Sequence, residues 1–211
     1  MGRKCFWEGV LKFMGWTKAR TAIVVSGCVL LAAGITTVTL YSANKPIQGI
    51  PENWSVLSGN REQWSATNGI ITGHSTTGDS ILASDKEYHN ITLSMIASTT
   101  NREASLAIRM QDAKNGYLIV FIPDPWGRIA LLKKEFGNET ALASYHGGIL
   151  SSAGKSAKIT VVARGPLIEV RLNGTSVLRV TDWTFTTGLI GLRIHGSRDH
   201  PCDATFSKVT F

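Results

Sequence analysis

The sequence predicts an all-β domain preceded by one membrane-spanning helix. Two observations support this fold class. One long segment near the N-terminus contains no charged residue, and the chain after residue 50 consists of short runs that alternate apolar and polar residues. Turn-forming residues separate about a dozen such runs, a spacing typical of a two-sheet sandwich or jelly roll.

The uncharged segment covers residues 21–41 and reads TAIVVSGCVLLAAGITTVTLY. As a helix it would be about 31 Å long, which is close to the hydrocarbon thickness of a bilayer. We therefore predict a basic interfacial tail at 1–20, a transmembrane helix at 21–41, a linker at 42–50 and an outer β-sandwich domain at 51–211.

The charges around this helix predict its orientation. Residues 1–20 contain five Lys or Arg residues and one acid, so they supply +4 of the formal net charge of +7. Basic flanks stay on the cytoplasmic side of a membrane. We therefore expect a single-pass protein of the cytoplasmic (inner) membrane, in contact with lipid, with its C-terminal domain in the periplasm or outside the cell. The small remaining charge gives no reason to expect a nucleic acid partner.

Two other interpretations of the N-terminal segment stay open. A signal peptide could be cleaved after Ala43, although the bulky Tyr41 stands where a small residue is preferred. Residues 25–28 (VSGC) resemble a lipoprotein attachment sequence, so Cys28 could carry a lipid, although the apolar run continues well beyond it. We favour the uncleaved helix because its full length fits a membrane span.

The tail has an apolar pattern of its own, in which aromatic residues are interleaved with Lys and Arg. This pattern suits a short helix in the cytoplasmic interface, serving either as an ordinary anchor or as a docking surface for other membrane-protein subunits. The anchor and docking residues that we predict are Phe6, Trp7, Phe13 and Trp16.

Strands are expected throughout the outer domain. We predict them near 69–73, 80–84, 90–97, 104–111, 116–123, 128–134, 140–145, 156–164, 167–172, 175–181, 188–194 and 203–211. Residues 166–180 (PLIEVRLNGTSVLRV) are predicted to form a hairpin closed by Asn173-Gly174, because this dipeptide suits a two-residue hairpin turn.

We predict neither a metal site nor a cofactor. Cys202 is the single cysteine after residue 50, so it has no partner for a disulfide within the outer domain, and we expect it to be a small buried residue. His195 and His200 bracket a short turn that contains Asp199, but no further ligand follows at a clear spacing.

Several short motifs occur in an order that resembles a known superfamily. They include NGIITG at 68–73, AIR at 107–109, IEVRLNG at 168–174, GLIGL at 188–192 and the closing FSKVTF at 206–211. In this order they resemble the concanavalin A-like jelly-roll superfamily, and more narrowly the bacterial extracellular domains named 3-keto-disaccharide hydrolases. The resemblance covers about residues 51–211 and implies a jelly-roll sandwich that acts on or binds a carbohydrate.

No catalytic residue is predicted. Family members that look enzymatic have an acidic residue after a Gly-Tyr step, where this chain has Leu118, and no carboxylate pair stands out for glycoside cleavage. The ligand-binding candidates are the family-matching Arg109 and Tyr117, the loop residues Asp124 and Trp126, and His195. An exposed Trp126 would stack on a sugar ring or a partner protein.

Two functions follow from these observations. The first is a non-catalytic, membrane-anchored structural or binding subunit of a larger membrane complex, such as a respiratory or photosynthetic one, with the β-sandwich packing on its periplasmic face. The alternative, implied by the resemblance, is a membrane-tethered glycan-binding protein or a 3-keto-disaccharide hydrolase-like glycosidase. The missing acid pair makes us favour a protein without enzymatic activity.

Overall fold

The computed structural model describes residues 50, 53–100, 103–122, 127–147 and 155–211. All described residues belong to the larger of two compact units, Pro46–Phe211. The predicted tail, the predicted transmembrane helix and the linker up to residue 49 lie outside the described residues, so those predictions stay predictions. In the described ranges, no helix has the length and apolar character needed to cross a membrane.

The described residues form fourteen strands and one short 3₁₀ turn at Arg61–Gln63. The strands are β1 (Trp54–Ser58), β2 (Trp64–Thr67), β3 (Ile70–Ser75), β4 (Gly78–Tyr88), β5 (Ile91–Thr99), β6 (Ala104–Asp112), β7 (Asn115–Ile122), β8 (Arg128–Glu135), β9 (Asn138–His146), β10 (Ala157–Arg164), β11 (Leu167–Leu172), β12 (Thr175–Thr181), β13 (Gly188–Gly196) and β14 (Cys202–Thr210).

These strands form two antiparallel seven-stranded sheets. Sheet A has the order β1-β4-β13-β6-β7-β8-β9, and sheet B has the order β12-β11-β10-β5-β14-β3-β2. The crossovers between non-consecutive strands, such as β13 between β4 and β6, produce the jelly-roll topology. The predicted two-sheet sandwich is therefore confirmed.

The main core lies between the two sheets, because alternate residues of each strand point inward. Phe206 on β14 illustrates the packing: its ring lies 6.2 Å from that of Trp64 and 6.4 Å from that of Phe121 on the facing sheet. All three rings are buried, and tilted or edge-on aromatic contacts of this kind stabilise a core beyond their buried area.

The twelve predicted strands are all present, with boundaries shifted by a few residues. The predicted hairpin is also confirmed, because β11 and β12 pair across Asn173 and Gly174, whose φ angles are 47° and 92°. Sequence analysis missed β1 and β2. Both are edge strands, and edge strands with half-exposed residues show little apolar alternation.

Candidate functional site on the outer face of sheet A

The face of sheet A that points away from the core carries a second buried cluster. Its members alternate along the strands with core residues and are small or aliphatic: Ile81, Ala83, Ala107, Met110, Leu118, Val120, Ala130 and Leu132. Most of them are 0–1% exposed. A buried apolar floor on an outer face is unusual for a sandwich, whose outer strand residues are normally polar and solvated.

Arg193 lies on this outer face and is only 2% exposed. It alternates on β13 with the core residues Leu192 and Ile194, which places its side chain on the opposite face. Its guanidinium donates hydrogen bonds to the Oδ1 of Asp79 (2.9 Å from Nε) and to the Oε1 of Glu103 (2.8 Å).

Two further residues complete this network. The Nη2 of Arg193 lies 3.1 Å from the Oε1 of Glu139, and the Nζ of Lys134 lies 2.8 Å from the Oδ2 of Asp79. Lys134 is also nearly buried, with 6% exposure. We call Asp79, Glu103, Lys134, Glu139, Arg193 and His195 the charged cluster.

These ion pairs show that sheet A is curved. Lys134 on β8 reaches Asp79 on β4, although β13, β6 and β7 lie between those strands. Neighbouring strands are about 4.8 Å apart, so four steps across a flat sheet would be about 19 Å, too far for one Lys-Asp pair. The outer face of sheet A is therefore concave, and its small residues (Ala83, Ala107 and Ala130) leave room for the two sides to approach.

His195 extends the charged cluster towards solvent. Its Nδ1 lies 2.6 Å from the Oδ1 of Asp79, and its side chain is 45% exposed. The hydrogen bond to Asp79 raises the pKa of His195, whereas its partial burial works in the opposite direction. Burial disfavours the charged form of Asp79, but its bonds to His195, Arg193 and Lys134 together hold the pKa of this carboxyl well below its usual value.

Charge balance in the cluster depends on His195. Three carboxylates face two permanent cations, Arg193 and Lys134, so the cluster carries one excess negative charge while the imidazole is neutral. Protonation of His195 makes it neutral overall. A buried arginine with several carboxylates is stable only when its donors are well satisfied, and here all three guanidinium nitrogens have partners.

Three polar atoms at the edge of the cluster remain open. Within the described ranges, the Oε2 of Glu103, the Oε2 of Glu139 and the Nε2 of His195 take part in no hydrogen bond. The side chains of the two glutamates are 22% and 28% exposed. The site thus presents two fixed carboxylate acceptors and an imidazole nitrogen at its partly exposed edge, and such polar groups can bind the hydroxyls of a small polar ligand.

The predicted ligand-binding residue Arg109 lies elsewhere, at one end of the sandwich. It is 1% exposed, and its guanidinium donates to the backbone carbonyls of Gly165 (2.6 Å), Phe185 (3.1 Å) and His89 (3.4 Å). Each carbonyl belongs to a different connection between strands. The contacts of Arg109 are therefore those of a structural residue, and its predicted ligand-binding role stays a prediction.

Tyr117 lies at the same end, on the core side of sheet A. Its hydroxyl donates to the Oδ1 of Asp182 (2.5 Å) and accepts from the backbone N–H of Phe185 (3.2 Å). Burial and the Asp182 bond raise the pKa of Tyr117 to about 12. Burial works against ionisation of Asp182, but hydrogen bonds from Thr184 and Tyr117 lower the pKa of Asp182 to about 2.

The structure does not bring the predicted ligand-binding residues into one groove. Arg109 and Tyr117 share a contact segment around Phe185, whereas His195 lies near the opposite end of β13. Asp124 and Trp126 lie outside the described residues, as do the predicted docking residues Phe6, Trp7, Phe13 and Trp16. Of the three predicted ligand-binding residues that the structure describes, His195 alone belongs to the charged cluster.

The other cluster residues were missed by sequence analysis. One signal was present: Arg193 stands inside the apolar strand GLIGLRIHG, where an isolated charge must find a buried partner or point outward. Its partners come from residues 79, 103 and 139, which are distant in the chain. Their convergence depends on strand order and sheet curvature, which no local pattern reveals.

Comparison with known families identifies the domain. The model of the 3-keto-alpha-glucoside-1,2-lyase-like domain matches residues 49–211. The chain belongs to this family. The resemblance to concanavalin A-like jelly rolls that the sequence suggested is therefore confirmed. A comparison with curated proteins found no match.

Solved structures share the fold of this family member. The carbohydrate-binding module CBM66 from Bacillus subtilis has 24% identity and a TM-score of 0.65, covering 75% of this chain and 94% of the module. A protein described as a glycosyl hydrolase from Parabacteroides distasonis has 21% identity and a TM-score of 0.55, covering 75% and 92%. A β-glucanase from Bacillus licheniformis has 12% identity and a TM-score of 0.58, covering 77% and 93%. At these identities the likeness establishes the fold alone.

Proposed function

We propose that this domain binds a carbohydrate at the partly exposed edge of the charged cluster, on the outer face of sheet A. The observation that carries the proposal is Arg193, which is 2% exposed and donates to three carboxylates, two of which keep an oxygen that bonds to no described residue. Family membership and neighbours named as a carbohydrate-binding module and a β-glucanase support the same ligand class.

The chemistry of the open atoms fits a sugar. Hydroxyl groups would donate to the Oε2 atoms of Glu103 and Glu139, and charge-assisted hydrogen bonds of this kind are about twice as strong as neutral ones. Arg193 already holds both carboxylates in place, so little side-chain freedom would be lost on binding.

We further propose that the domain is tethered to the cytoplasmic membrane by the helix at 21–41 and faces the periplasm. The basic tail and the uncharged segment support this localisation. The comparisons favour the alternative, glycan binding, over our first expectation of a subunit of a membrane complex, because the matched family and the structural neighbours are named for carbohydrate chemistry.

Calorimetric titration of the full-length protein with a panel of disaccharides, their 3-keto forms and short glucans and fructans tests this function. We expect at least one sugar to bind, and Glu103→Gln or Glu139→Gln to weaken its binding by roughly 10- to 150-fold, since a lost charge-assisted hydrogen bond costs roughly 1.5–3 kcal/mol. Glu169→Gln is the matched control, because Glu169 lies on the outer face of sheet B and pairs with Arg171. Equal loss in all three variants, or no binding by any sugar, would reject the site.

A second candidate is lyase activity at the same face, favoured by the His195–Asp79 pair. When the imidazole is neutral and donates its Nδ1–H to Asp79, its exposed Nε2 is free to accept a proton. In a 3-keto-α-glucoside, Nε2 would take the C2 proton next to the ketone. The C2 electron pair would then form the C1–C2 double bond, and the C1–O bond would break to release the aglycone.

Product analysis separates binding from catalysis. Incubation of the protein with 3-keto-trehalose or 3-keto-sucrose, followed by mass spectrometry, would show the unsaturated keto sugar if the lyase is active. His195→Gln would abolish its formation while leaving most of the affinity. Intact substrate after prolonged incubation with a protein that binds it would restrict the function to binding.

A further inference from the structure

The sandwich has two ends, and the chain enters the domain at one of them. Trp54 pairs with Ser84, and the carbonyl of Asn53 accepts the N–H of Asp85, so the chain joins β4 close to its last residue, Tyr88. We call this the entry end. The opposite end contains His195 and the turn at Ser197–His200.

Three large exposed hydrophobic side chains lie at the entry end. Phe211, the last residue, packs its ring 5.5 Å from that of Tyr88. Phe136 follows β8, and its N–H is bound by the side chain of Asn115 in the neighbouring turn. Trp183 precedes β13, whose first residue, Gly188, pairs with Tyr88.

These three apolar side chains are extensively exposed to water, which is unfavourable in free energy. Phe136 is 85% exposed, Trp183 is 72% exposed and Phe211 is 50% exposed. Phe136 also has a φ of 53°, a left-handed conformation that suits Asn or Gly at a hairpin turn and strains an aromatic residue. A residue that is both strained and exposed is more easily explained by a contact with something outside the domain.

The two protruding aromatic segments are fixed to one another. The Nζ of Lys133 contacts the Oε2 of Glu135 (2.9 Å), next to Phe136, and the Oγ1 of Thr184 (3.1 Å), next to Trp183. Asp182 is held in turn by the Tyr117 hydroxyl. Phe136 and Trp183 therefore protrude from a braced surface.

In the part of the chain that the structure describes, no comparable residue marks the other end. Ile70 is the fourth large exposed hydrophobic of the described ranges, and it lies beside the β2–β3 turn on the outer face of sheet B. The described residues exposed at the opposite end are polar, such as Arg198, Asp199 and His200. Among the described residues, the large exposed aromatic side chains therefore lie at the end where the chain enters.

We propose that the entry end lies against a lipid surface, with Phe136, Trp183 and Phe211 in the headgroup layer. Aromatic side chains are enriched at that depth of a membrane. This inference rests on the tether proposed above: the predicted span ends at residue 41, and nine linker residues reach at most about 31 Å, which limits how far the domain can lie from a bilayer. The exposed charges nearby are mixed (Lys86, Lys114, Asp112 and Glu87), so a zwitterionic surface suffices.

The test uses Trp183 as its own reporter. Full-length protein and its Trp183→Phe variant are reconstituted into phosphatidylcholine vesicles, with plain or brominated acyl chains, and recovered by flotation. The fluorescence difference between the two proteins isolates Trp183, and we expect brominated lipid to quench it. The control adds His200→Trp to the Trp183→Phe protein, because His200 is exposed at the opposite end. The fluorescence difference between this protein and Trp183→Phe isolates the new Trp, and that difference should be equal in both lipids.

Four results would overturn the proposal. Equal Trp183 fluorescence in plain and brominated vesicles would place the entry end in water. Quenching of His200→Trp to the same degree would show that the domain contacts lipid in no preferred orientation. Failure of the full chain to float with vesicles would show that the protein does not bind the membrane. A Trp183 emission shift caused by soluble oligosaccharide, without lipid quenching, would make this end a glycan surface instead.

Discussion

Arg109 and Arg193 are buried to nearly the same extent, but their guanidinium groups meet different partners. Arg109 donates to three backbone carbonyls, which belong to three connections at one end of the sandwich. Arg193 donates to three carboxylates on the outer face of sheet A. Carbonyls are fixed parts of the fold, whereas carboxylates titrate and keep further acceptor positions.

This difference separates a structural arginine from one that organises a site. The three backbone carbonyls that bind Arg109 serve to hold the connections between strands together. Two of the carboxylates beside Arg193, those of Glu103 and Glu139, keep one oxygen each that bonds to no described residue. Burial by itself therefore does not distinguish the two roles, and the chemistry of the partners does.

The largest expected effect is that of Arg193→Met. It leaves three carboxylates with Lys134 as their only permanent cation, and breaking a buried ion network in this way costs about 3–5 kcal/mol. Urea unfolding of the full chain in detergent micelles measures this loss. An unfolding free energy within about 1 kcal/mol of the wild type would contradict the burial of the network.

The pH dependence of that loss sharpens the comparison. Because the pKa of Asp79 is held below its usual 3.8, the stability it contributes is present above that value and is lost as the pH falls through the lowered one. The gap between the wild type and Arg193→Met should therefore narrow in acid. The gap for Arg109→Met should stay constant, because carbonyls do not titrate.

Arg109→Met should cost less, about 2–3 kcal/mol, because it leaves carbonyl acceptors without donors. Unfolding of the full chain is again the measurement. Sugar binding by the remaining folded protein should be unchanged, since the charged cluster is intact. A loss of affinity at unchanged fold would instead support the ligand-binding role predicted for Arg109.

Tyr117→Phe should have a smaller effect, about 1–2 kcal/mol, through loss of the hydroxyl that links Asp182 to the N–H of Phe185. The raised pKa of Tyr117, about 12, means that its contribution is complete below pH 10 and is lost as the pH rises towards that value. The wild type and the variant should therefore converge in stability above about pH 11. A constant difference in stability between the wild type and Tyr117→Phe up to that pH would contradict the Tyr117–Asp182 hydrogen bond.

His195→Gln should have the smallest effect on stability, about 0.5–1 kcal/mol, because the imidazole is nearly half exposed. The pKa of His195 is raised by Asp79, so the stabilisation is full below 6.5 and is lost as the pH rises through the raised value. The variant should differ from the wild type at about pH 5 and match it at about pH 9. A larger stability difference at alkaline pH than at acidic pH would contradict the stabilising His195–Asp79 pair.

Sequence alone predicted most of the fold, because alternation and turn dipeptides are local signals. The pairing of β11 with β12 across Asn173-Gly174 is an example. The strands at Trp54–Ser58 and Trp64–Thr67 escaped prediction because edge strands bury few residues. The predicted tail and span at 1–41 lie outside the described residues and stay predictions.

The candidate site was harder to predict than the fold. His195 was identified from its turn context, but its true partner is Asp79, more than one hundred residues away. Arg109 and Tyr117 were chosen because they match the family, and in the structure both hold loops together. Contacts across a curved sheet depend on strand order, so a single sequence without known pairings does not reveal them.

The most direct test of the carbohydrate site is the NMR signal of the His195 ring during titration with the tightest-binding sugar of the panel. His74 is a built-in control, because its Nδ1 lies 2.6 Å from Asp203 in an equivalent pair on sheet B. We predict that the His195 ring proton shifts with the calorimetric affinity while the His74 signal stays in place. Movement of His74 alone, or of neither ring while the sugar binds, would contradict a binding site beside the charged cluster.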